Sequence, residues 1–558
     1  MHRREFLQAL ALASISGSLS EPALAGSSSP LYRLPERKRV ASLIHLTDCH
    51  AQLLPVHYRE PGINIGVGAS ANVPPHLTGE ALLRNYGLQR GSRLAHAFTH
   101  LDFGELARRY GKMGGFAHLA TLVKLIESQR PGALLADGGD SWQGSATALW
   151  TRGADMVAAS KLLGVKVMTG HWEFTLGADR VMDLIQHDMH GSIDFVAHNV
   201  FTRDFGDRVF SPFVIKEIAG MEVAIIGQAY PYTPIANPQH LIPEWTFGIH
   251  EQSLRDTIAE VRRHGVAAIV LLSHNGVDVD LKLAGRVEGL TAILGGHTHD
   301  PLPKPIRVRN NGGETLVANG GSNGKFIGVL DIVASHGKLA CDYSLMPVFS
   351  NLLEPDPAMS ALIAQLRQPF EQSLGQVLAV TDDLLYRRGN FNGSFDELIL
   401  ESLQKSQNAQ IALSPGFRWG TTLLPGSAVT VEDVMAQTAI TYPGITLREL
   451  TGTDIKEALE DIADNLFNPD PYYRQGGDMV RTRALTYTCN PRASIGRRIG
   501  DLRVNSSPVE ADKFYRVASW ASVAESASDS TPMWEPLETH LRSTGRVGRV
   551  RVNTPKLV

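Results

Sequence analysis

The sequence predicts an α/β protein of two domains, the first layered and bearing a polar site at its strand ends, the second smaller. Three observations carry this expectation. A chain of 558 residues is longer than one ordinary core organises. Short apolar runs alternate with helical patterns through its first part. Five polar motifs each follow an apolar run: Asp48-Cys49-His50, Gly138-Gly139-Asp140-Ser141, Gly170-His171-Trp172-Glu173, Ser273-His274-Asn275 and Gly296-His297-Thr298-His299. Ligands in open α/β sheets bind beyond the carboxyl ends of the strands, so these motifs point to one shared site.

Residues 1–25 read as an export signal rather than as part of the fold. His2-Arg3-Arg4-Glu5-Phe6-Leu7 leads into a short apolar run, and Ala23-Leu24-Ala25 is a small-x-small cleavage site. The paired arginines are similar to a twin-arginine signal, with an ordinary secretory signal as the alternative, and either implies the periplasm. The run is too short for a membrane span.

The catalytic domain is expected over 26–352. Val40 to Leu46 reads as a buried strand, and 51–112, rich in Gly, Pro and His, as a long irregular insertion beside the site. A helix is expected over Phe116 to Ile126 after Gly114-Gly115. Strands follow at Ala133–Leu135, Val165–Met168, Phe195–Ala197, Val223–Ile226, Ala267–Leu272 and Thr291–Leu294, with helices at 154–163, 178–186 and 251–263. Glu354-Pro355-Asp356-Pro357 opens a connecting helix within 353–374. The remainder, 375–558, has its own helices (Glu397–Ser406, Ile455–Asn465) and strands such as Ala484–Tyr487, but no cluster of metal-binding residues.

Composition narrows the function. Apolar content of 43% and charged content of 20% describe a globular protein, and a net charge of -4 argues against a nucleic-acid partner. Three cysteines, Cys49, Cys341 and Cys489, cannot make a disulfide scaffold. Alternation along an extended segment turns Cys49 away from its neighbours, which gives it a structural role.

Asp48, His50, Asp140, His171, His274, His297 and His299 supply the carboxylates and imidazoles that hold borderline and hard divalent ions. Seven such groups buried together without an ion would be costly, and their number suits two ions. Asp-x-His and His-x-His aim both side chains at one place only where a strand ends and the backbone curls.

In order and spacing these motifs resemble the binuclear metallophosphoesterases. Gly114-Gly115-Phe116, Gly139-Asp140-Ser141-Trp142-Gln143-Gly144 and Leu450-Thr451-Gly452-Thr453-Asp454-Ile455 are similar to the 5'-nucleotidase branch. The resemblance implies an α/β/β/α metallophosphoesterase-like domain and a 5'-nucleotidase-type substrate domain. It implies one ion on Asp48, His50, Asp140 and His299 and another on Asp140, His171, His274 and His297, with Asp140 bridging. It places Asn199 near the site.

Two departures redirect the chemistry. Nucleotidases carry Gly-Asn-His-Glu-Phe-Asp, whose His-Asp pair protonates the phosphoester; this chain has Gly170-His171-Trp172-Glu173-Phe174-Thr175. Losing a general acid forfeits roughly 10²–10⁴ in rate for a basic alkoxide leaving group, but little for a sulfur one. Ser414-Pro415-Gly416-Phe417-Arg418 replaces Asn-Gly-Gly-Gly-Ile-Arg and keeps Arg418 to bind a tetrahedral oxyanion. The nucleobase-holding stretch is replaced by Ile440-Thr441-Tyr442-Pro443.

These departures, together with Arg387-Arg388-Gly389-Asn390-Phe391-Asn392-Gly393 and Gly476-Gly477-Asp478-Met479-Val480-Arg481, resemble the SoxB thiosulfohydrolases of sulfur oxidation. The resemblance implies a periplasmic dimanganese hydrolase, with zinc and iron as alternative metals. Its partner would be a SoxYZ-type carrier presenting a cysteine S-thiosulfonate on a flexible arm. A metal-bound hydroxide would release sulfate, with Asp140, His171 and Arg418 in the catalytic set. Trp172, Asn199, Asn390, Asn392, Asp478 and Arg481 are the expected walls of the carrier cleft. A periplasmic nucleotidase or phosphodiesterase and a non-catalytic partner of the carrier are the competing readings.

Overall fold

The computed structural model describes residues 29–37, 40–335, 338–523 and 530–558. The expected export segment 1–25 lies outside them. Two six-stranded sheets build the N-terminal domain. The first runs Lys338–Pro347, Phe326–Ser335, Val40–Leu46, Leu134–Asp137, Val165–Met168, Asp194–Phe195. The second runs Ile306–Asn310, Gly313–Asn319, Ala292–Gly295, Ala268–Ser273, Met221–Gln228, Phe213–Ile218. Their central strands pair in parallel, which brings the loops after them to one edge.

Period-two alternation sorts the side chains into layers. Leu43, Ala136 and Val167 of the first sheet meet Ile225, Val270 and Leu294 of the second in one buried layer. The alternate residues Ile44, Leu135 and Met168 pack under helices Phe116–Gln129 and Ala154–Leu163. On the far side, Ile226, Leu271 and Ile293 meet helices Glu251–Arg262 and Val277–Arg286. Helix, sheet, sheet and helix give the four-layer α/β/β/α arrangement.

The C-terminal domain centres on a four-stranded sheet, Ile445–Thr451, Phe514–Trp520, Ile411–Ser414 and Arg481–Arg483. Helices Ser394–Gln407, Val431–Thr438 and Trp534–Thr544 cover one face. Helix Gly452–Phe467 covers the other. That helix begins with a capping box: the Thr451 hydroxyl accepts from Asp454 N–H, and the Asp454 carboxylate accepts from Thr451 N–H. Between the domains, helix Pro357–Arg367 buries Met359 and Ile363 in the first core, and Leu374 enters the second.

Two expectations need correction. Part of 51–112 is helical, as Gly79–Tyr86, Arg93–Phe98 and Phe103–Tyr110. Each piece is too short to show helical periodicity, and contact with Phe326 and Phe349 stabilises them. The strand expected at Phe195–Ala197 is only Asp194–Phe195, after which the chain turns toward the site. Among the described residues no helix is long and apolar enough to cross a membrane.

Candidate active site

The seven expected ligands converge, all buried, at the edge where the parallel strands end. Asp48, His50, Asp140, His297 and His299 all have left-handed backbone, with φ of 50°, 44°, 58°, 71° and 59°. This is the curl that Asp-x-His and His-x-His require, at roughly 1–2 kcal/mol for each non-glycine residue. Gly296 lets the last turn approach, because a Cβ there would lie 2.3 Å from Thr47 Oγ1.

Two four-residue groups result, Asp48-His50-Asp140-His299 and Asp140-His171-His274-His297, with ligand atoms within 4.8 Å of one another in each. Asp140 belongs to both. Its Oδ2 lies 3.0 Å from His171 Nδ1 and 3.2 Å from His274 Nε2. Burial raises the Asp140 carboxyl, but the charges of His171 and His274 outweigh it and hold the group well below its usual range. Burial lowers His299 to about 4 and holds His297 well below its ordinary value, which keeps both imidazoles neutral. His274 is opposite: burial lowers it, yet Asp48 and Asp140 bring it up to about 10.

The donor set fits a pair of divalent ions. His50 Nδ1 faces the Gln143 carbonyl at 3.2 Å, which puts its proton there and turns the Nε2 lone pair inward. That nitrogen lies 2.9 Å from His299 Nε2, itself 3.2 Å from Asp48 Oδ1. His171 Nε2 and His297 Nδ1 are buried without a hydrogen-bond partner. Lone pairs directed at lone pairs call for a shared cation.

The supporting groups are local and specific. His274 Nδ1 donates to the Gly138 carbonyl at 2.6 Å. Glu173, fully buried, accepts from the N–H groups of His171 (2.7 Å), Ser141 (2.7 Å) and Asp140 (3.2 Å), fixing both ligand turns at once. Tyr230 packs its ring on His171 and His297, at 4.0 and 4.3 Å between centroids. The C-terminal domain adds Trp419, stacked on His50 at 5.5 Å, and the Gln475 carbonyl, 2.9 Å from His297 Nε2. Gly476 has φ +79°, and a Cβ there would lie 2.5 Å from His297 Nε2. Of these, Glu173 and Gly476 stood in quoted motifs; Tyr230 carried no local signal.

A chamber of about 700 Å³ opens over the ligands between the domains. Trp172 lines it and joins the C-terminal aromatic cluster, parallel to Tyr442 (5.7 Å, 5°) and edge-on to Trp419 (4.9 Å). Its indole therefore both walls the chamber and fills the interdomain space. Thr175, at the dyad's acidic position, donates its hydroxyl to the Trp172 carbonyl at 2.8 Å. On the other wall Arg418 donates to the Gly477 carbonyl, while its Nε and Nη1 are buried without a hydrogen-bond partner. Asp478 also lines the chamber, and Arg481, Arg388 and Arg418 around it keep it low despite burial.

The remaining expected wall residues sit elsewhere. Asn390 lines an adjoining cavity and accepts from Ile65 N–H at 2.7 Å. The Asn199 amide is consumed by the Ala229 carbonyl, the Gly248 carbonyl and Ala229 N–H, so it shapes the turn before Tyr230 instead of meeting a ligand. Asn392 bonds Glu397, the Asn553 carbonyl and Gly393 N–H. Arg481 is fully buried against Asp478 and the Phe391 and Met479 carbonyls. As cleft walls Asn199, Asn392 and Arg481 are thus corrected: internal hydrogen bonds already use their polar groups.

Comparison with known proteins agrees with this geometry. The family profile described as 5'-nucleotidase, C-terminal domain matches residues 377–534. The trifunctional nucleotide phosphoesterase protein YfkN of Bacillus subtilis is 24% identical over 473 residues, covering 75% of this chain and 31% of that protein. The rat 5'-nucleotidase is 25% identical over 299 residues, 50% of this chain and 51% of that one. The chain thus spans about a third to a half of these curated relatives. A Thermus thermophilus 5'-nucleotidase precursor shares the fold at 21% identity, with TM-score 0.73 over 93% of this chain and 99% of that one. Fold and site together give the two-domain architecture of the metallophosphoesterase and 5'-nucleotidase class, whose relatives are hydrolases. Within it, the Thermus thermophilus sulfate thiohydrolase SoxB, solved with glycerol, is 34% identical with TM-score 0.89, covering 94% of this chain and 98% of that one. The chain belongs to the SoxB family.

Proposed function

We propose that this protein is a periplasmic, dimanganese thiosulfohydrolase that removes the terminal sulfonate of a cysteine S-thiosulfonate held by a SoxYZ-type carrier. The observation that carries the reading is that, among the described residues lining the chamber, none beyond the expected metal ligands is placed to act as an acid. Apart from the expected metal ligands, the ionisable groups lining the chamber among the described residues are Tyr230, Arg418 and Asp478, with Tyr442 packed behind Trp172. Burial holds both tyrosines well above their usual range, and each donates to an acceptor, the Gln475 carbonyl and Asn237 Oδ1. Asp478 is held ionised by three arginines. A basic alkoxide would leave poorly here, whereas a persulfide needs no proton.

Asp48, His50, Asp140 and His299 would hold one ion, and Asp140, His171, His274 and His297 the other. The pair would supply an activated water and polarise the sulfonate oxygens. Arg418, whose Nη1 has no hydrogen-bond partner and whose Nε lies 3.6 Å from Asp478 Oδ1, would orient the sulfonate, as a planar fork suits a tetrahedral oxyanion. The rings of Trp172, Phe417 and Trp419, backed by Tyr442, would give the arm an apolar, water-excluding wall. In the reaction a water oxygen bonds to the sulfonate sulfur and the S–S bond to that sulfur breaks. The electron pair leaves with the carrier persulfide, the water protons pass to solvent, and sulfate is the product.

The test incubates the protein with thiosulfonate-loaded carrier and measures sulfate with and without Mn²⁺. Metal-dependent sulfate release is expected. Phosphate release from AMP without sulfate release would favour a nucleotidase, and carrier binding with no sulfate a non-catalytic role.

A further inference from the structure

We infer that Arg388 is a positioning residue for the His297–His299 ligand loop, clamping it from the other domain. The loop's conformation makes a clamp necessary. Two of its three residues are left-handed and neither is glycine, with φ of 71° at His297 and 59° at His299. Backbone of this kind persists only where its surroundings over-determine it. The N-terminal domain holds the front half: His297 N–H donates to the Asp48 carboxylate at 3.0 Å, and Asn319 Nδ2 to the Gly296 carbonyl at 3.1 Å.

The back half is held by Arg388. Its Nη2 lies 3.0 Å from the Thr298 carbonyl oxygen and 3.4 Å from Asp300 Oδ1. Its Nη1 is 3.6 Å from Asp478 Oδ1, and the whole side chain is buried. Asn64 Nδ2 steadies the same Asp300 oxygen at 3.0 Å. One guanidinium therefore ties the chamber carboxylate Asp478 to the peptide between two metal ligands. Because His297 and His299 belong to different ligand groups, docking of the C-terminal domain reaches both halves of the centre. A lysine is a point charge and cannot span these acceptors as a planar fork does.

The inference rests on the two-ion reading of the site, not on the sulfonate chemistry, and it is tested by metal retention. Full-length protein loaded with Mn²⁺ is titrated with a chelator while bound metal per chain is counted. Metal-free melting is recorded in parallel. Arg388→Met should lower metal affinity roughly 10–100-fold, the scale for groups that orient ligands. Arg388→Lys should fall between it and wild type, and excess Mn²⁺ should restore two ions per chain in both. Wild-type retention in folded Arg388→Met overturns the inference; if that variant does not fold, wild-type retention in Arg388→Lys does so. Loss that excess Mn²⁺ cannot restore, with an equal fall in metal-free melting, also overturns it by indicating general support of the fold. A wild-type chain binding fewer than two ions overturns the reading beneath it.

Discussion

Trp172 and Thr175 occupy the places where a nucleotidase keeps its proton donor, and neither is a carboxyl or imidazole acid. The indole packs against Tyr442 and Trp419, and the threonine hydroxyl closes its own turn. Restoring the dyad as Trp172→His with Thr175→Asp should raise hydrolysis of a chromogenic phosphoester by roughly 10²-fold or more. It should also lower stability by about 3 kcal/mol through the lost aromatic packing. Phosphate release and a denaturant titration measure the two effects. Trp172→Ala should lower turnover or carrier affinity, and unchanged kinetics would remove the indole from the cleft's function. Arg418→Met takes away the guanidinium on the opposite wall, and kcat/KM for sulfate release should fall about 10²–10³-fold.

At the scale of elements, the site is made by strand ends that curl and by loops that cross between domains. Asp278, in helix Val277–Arg286, meets His76 at 2.8 Å and pairs with Arg474 from the C-terminal domain. Burial raises its carboxyl, but His76, Arg474 and Ser70 outweigh that and bring it from 3.8 down to about 2. A carboxyl depressed by folding stabilises the native state fully above its unfolded pKa, and loses that contribution as pH falls through its folded one. The Asp278 contribution is therefore roughly 2 kcal/mol at neutral pH and about half that at pH 3. Asp278→Asn should melt below wild type at pH 7, and the gap should narrow between pH 4 and pH 2. A gap independent of pH would contradict the assignment.

The same scale shows what the sequence makes legible. Val40–Leu46, Val165–Met168 and helix 154–163 are bounded as expected, because each is a clean apolar or amphipathic run ended by Gly or a polar motif. The convergence of the seven expected ligand residues could be read for the same reason: each is a polar residue following a buried strand. The helices within 79–110 could not be, since tertiary contact rather than periodicity sustains them. Nor could Tyr230, Trp419 or Arg388, whose roles arise only when distant segments pack together. Asn199, Asn392 and Arg481 looked like cleft residues because their motifs did, but local hydrogen bonds had already used their polar atoms.

For the whole molecule, the centre is assembled by both domains. The first brings the ligands. The second brings Arg418, the proposed anion-holding group, Trp419 and Gln475 against two of the expected ligand imidazoles, and Arg388 behind the His297–His299 loop. If ions bind only this folded arrangement, Mn²⁺ at 100 times its Kd should add roughly 2.7 kcal/mol of stability. Chelation should then lower the melting midpoint by several degrees. The central claim concerns the leaving group: a chamber that binds a tetrahedral oxyanion but offers no proton to the departing atom. The most direct measurement compares, on one Mn²⁺-loaded preparation, kcat/KM for sulfate release from a cysteine S-thiosulfonate carrier with that for phosphate release from an alkyl phosphate. At least a 100-fold preference for the thiosulfonate is expected, and equal or faster release of phosphate would contradict the account.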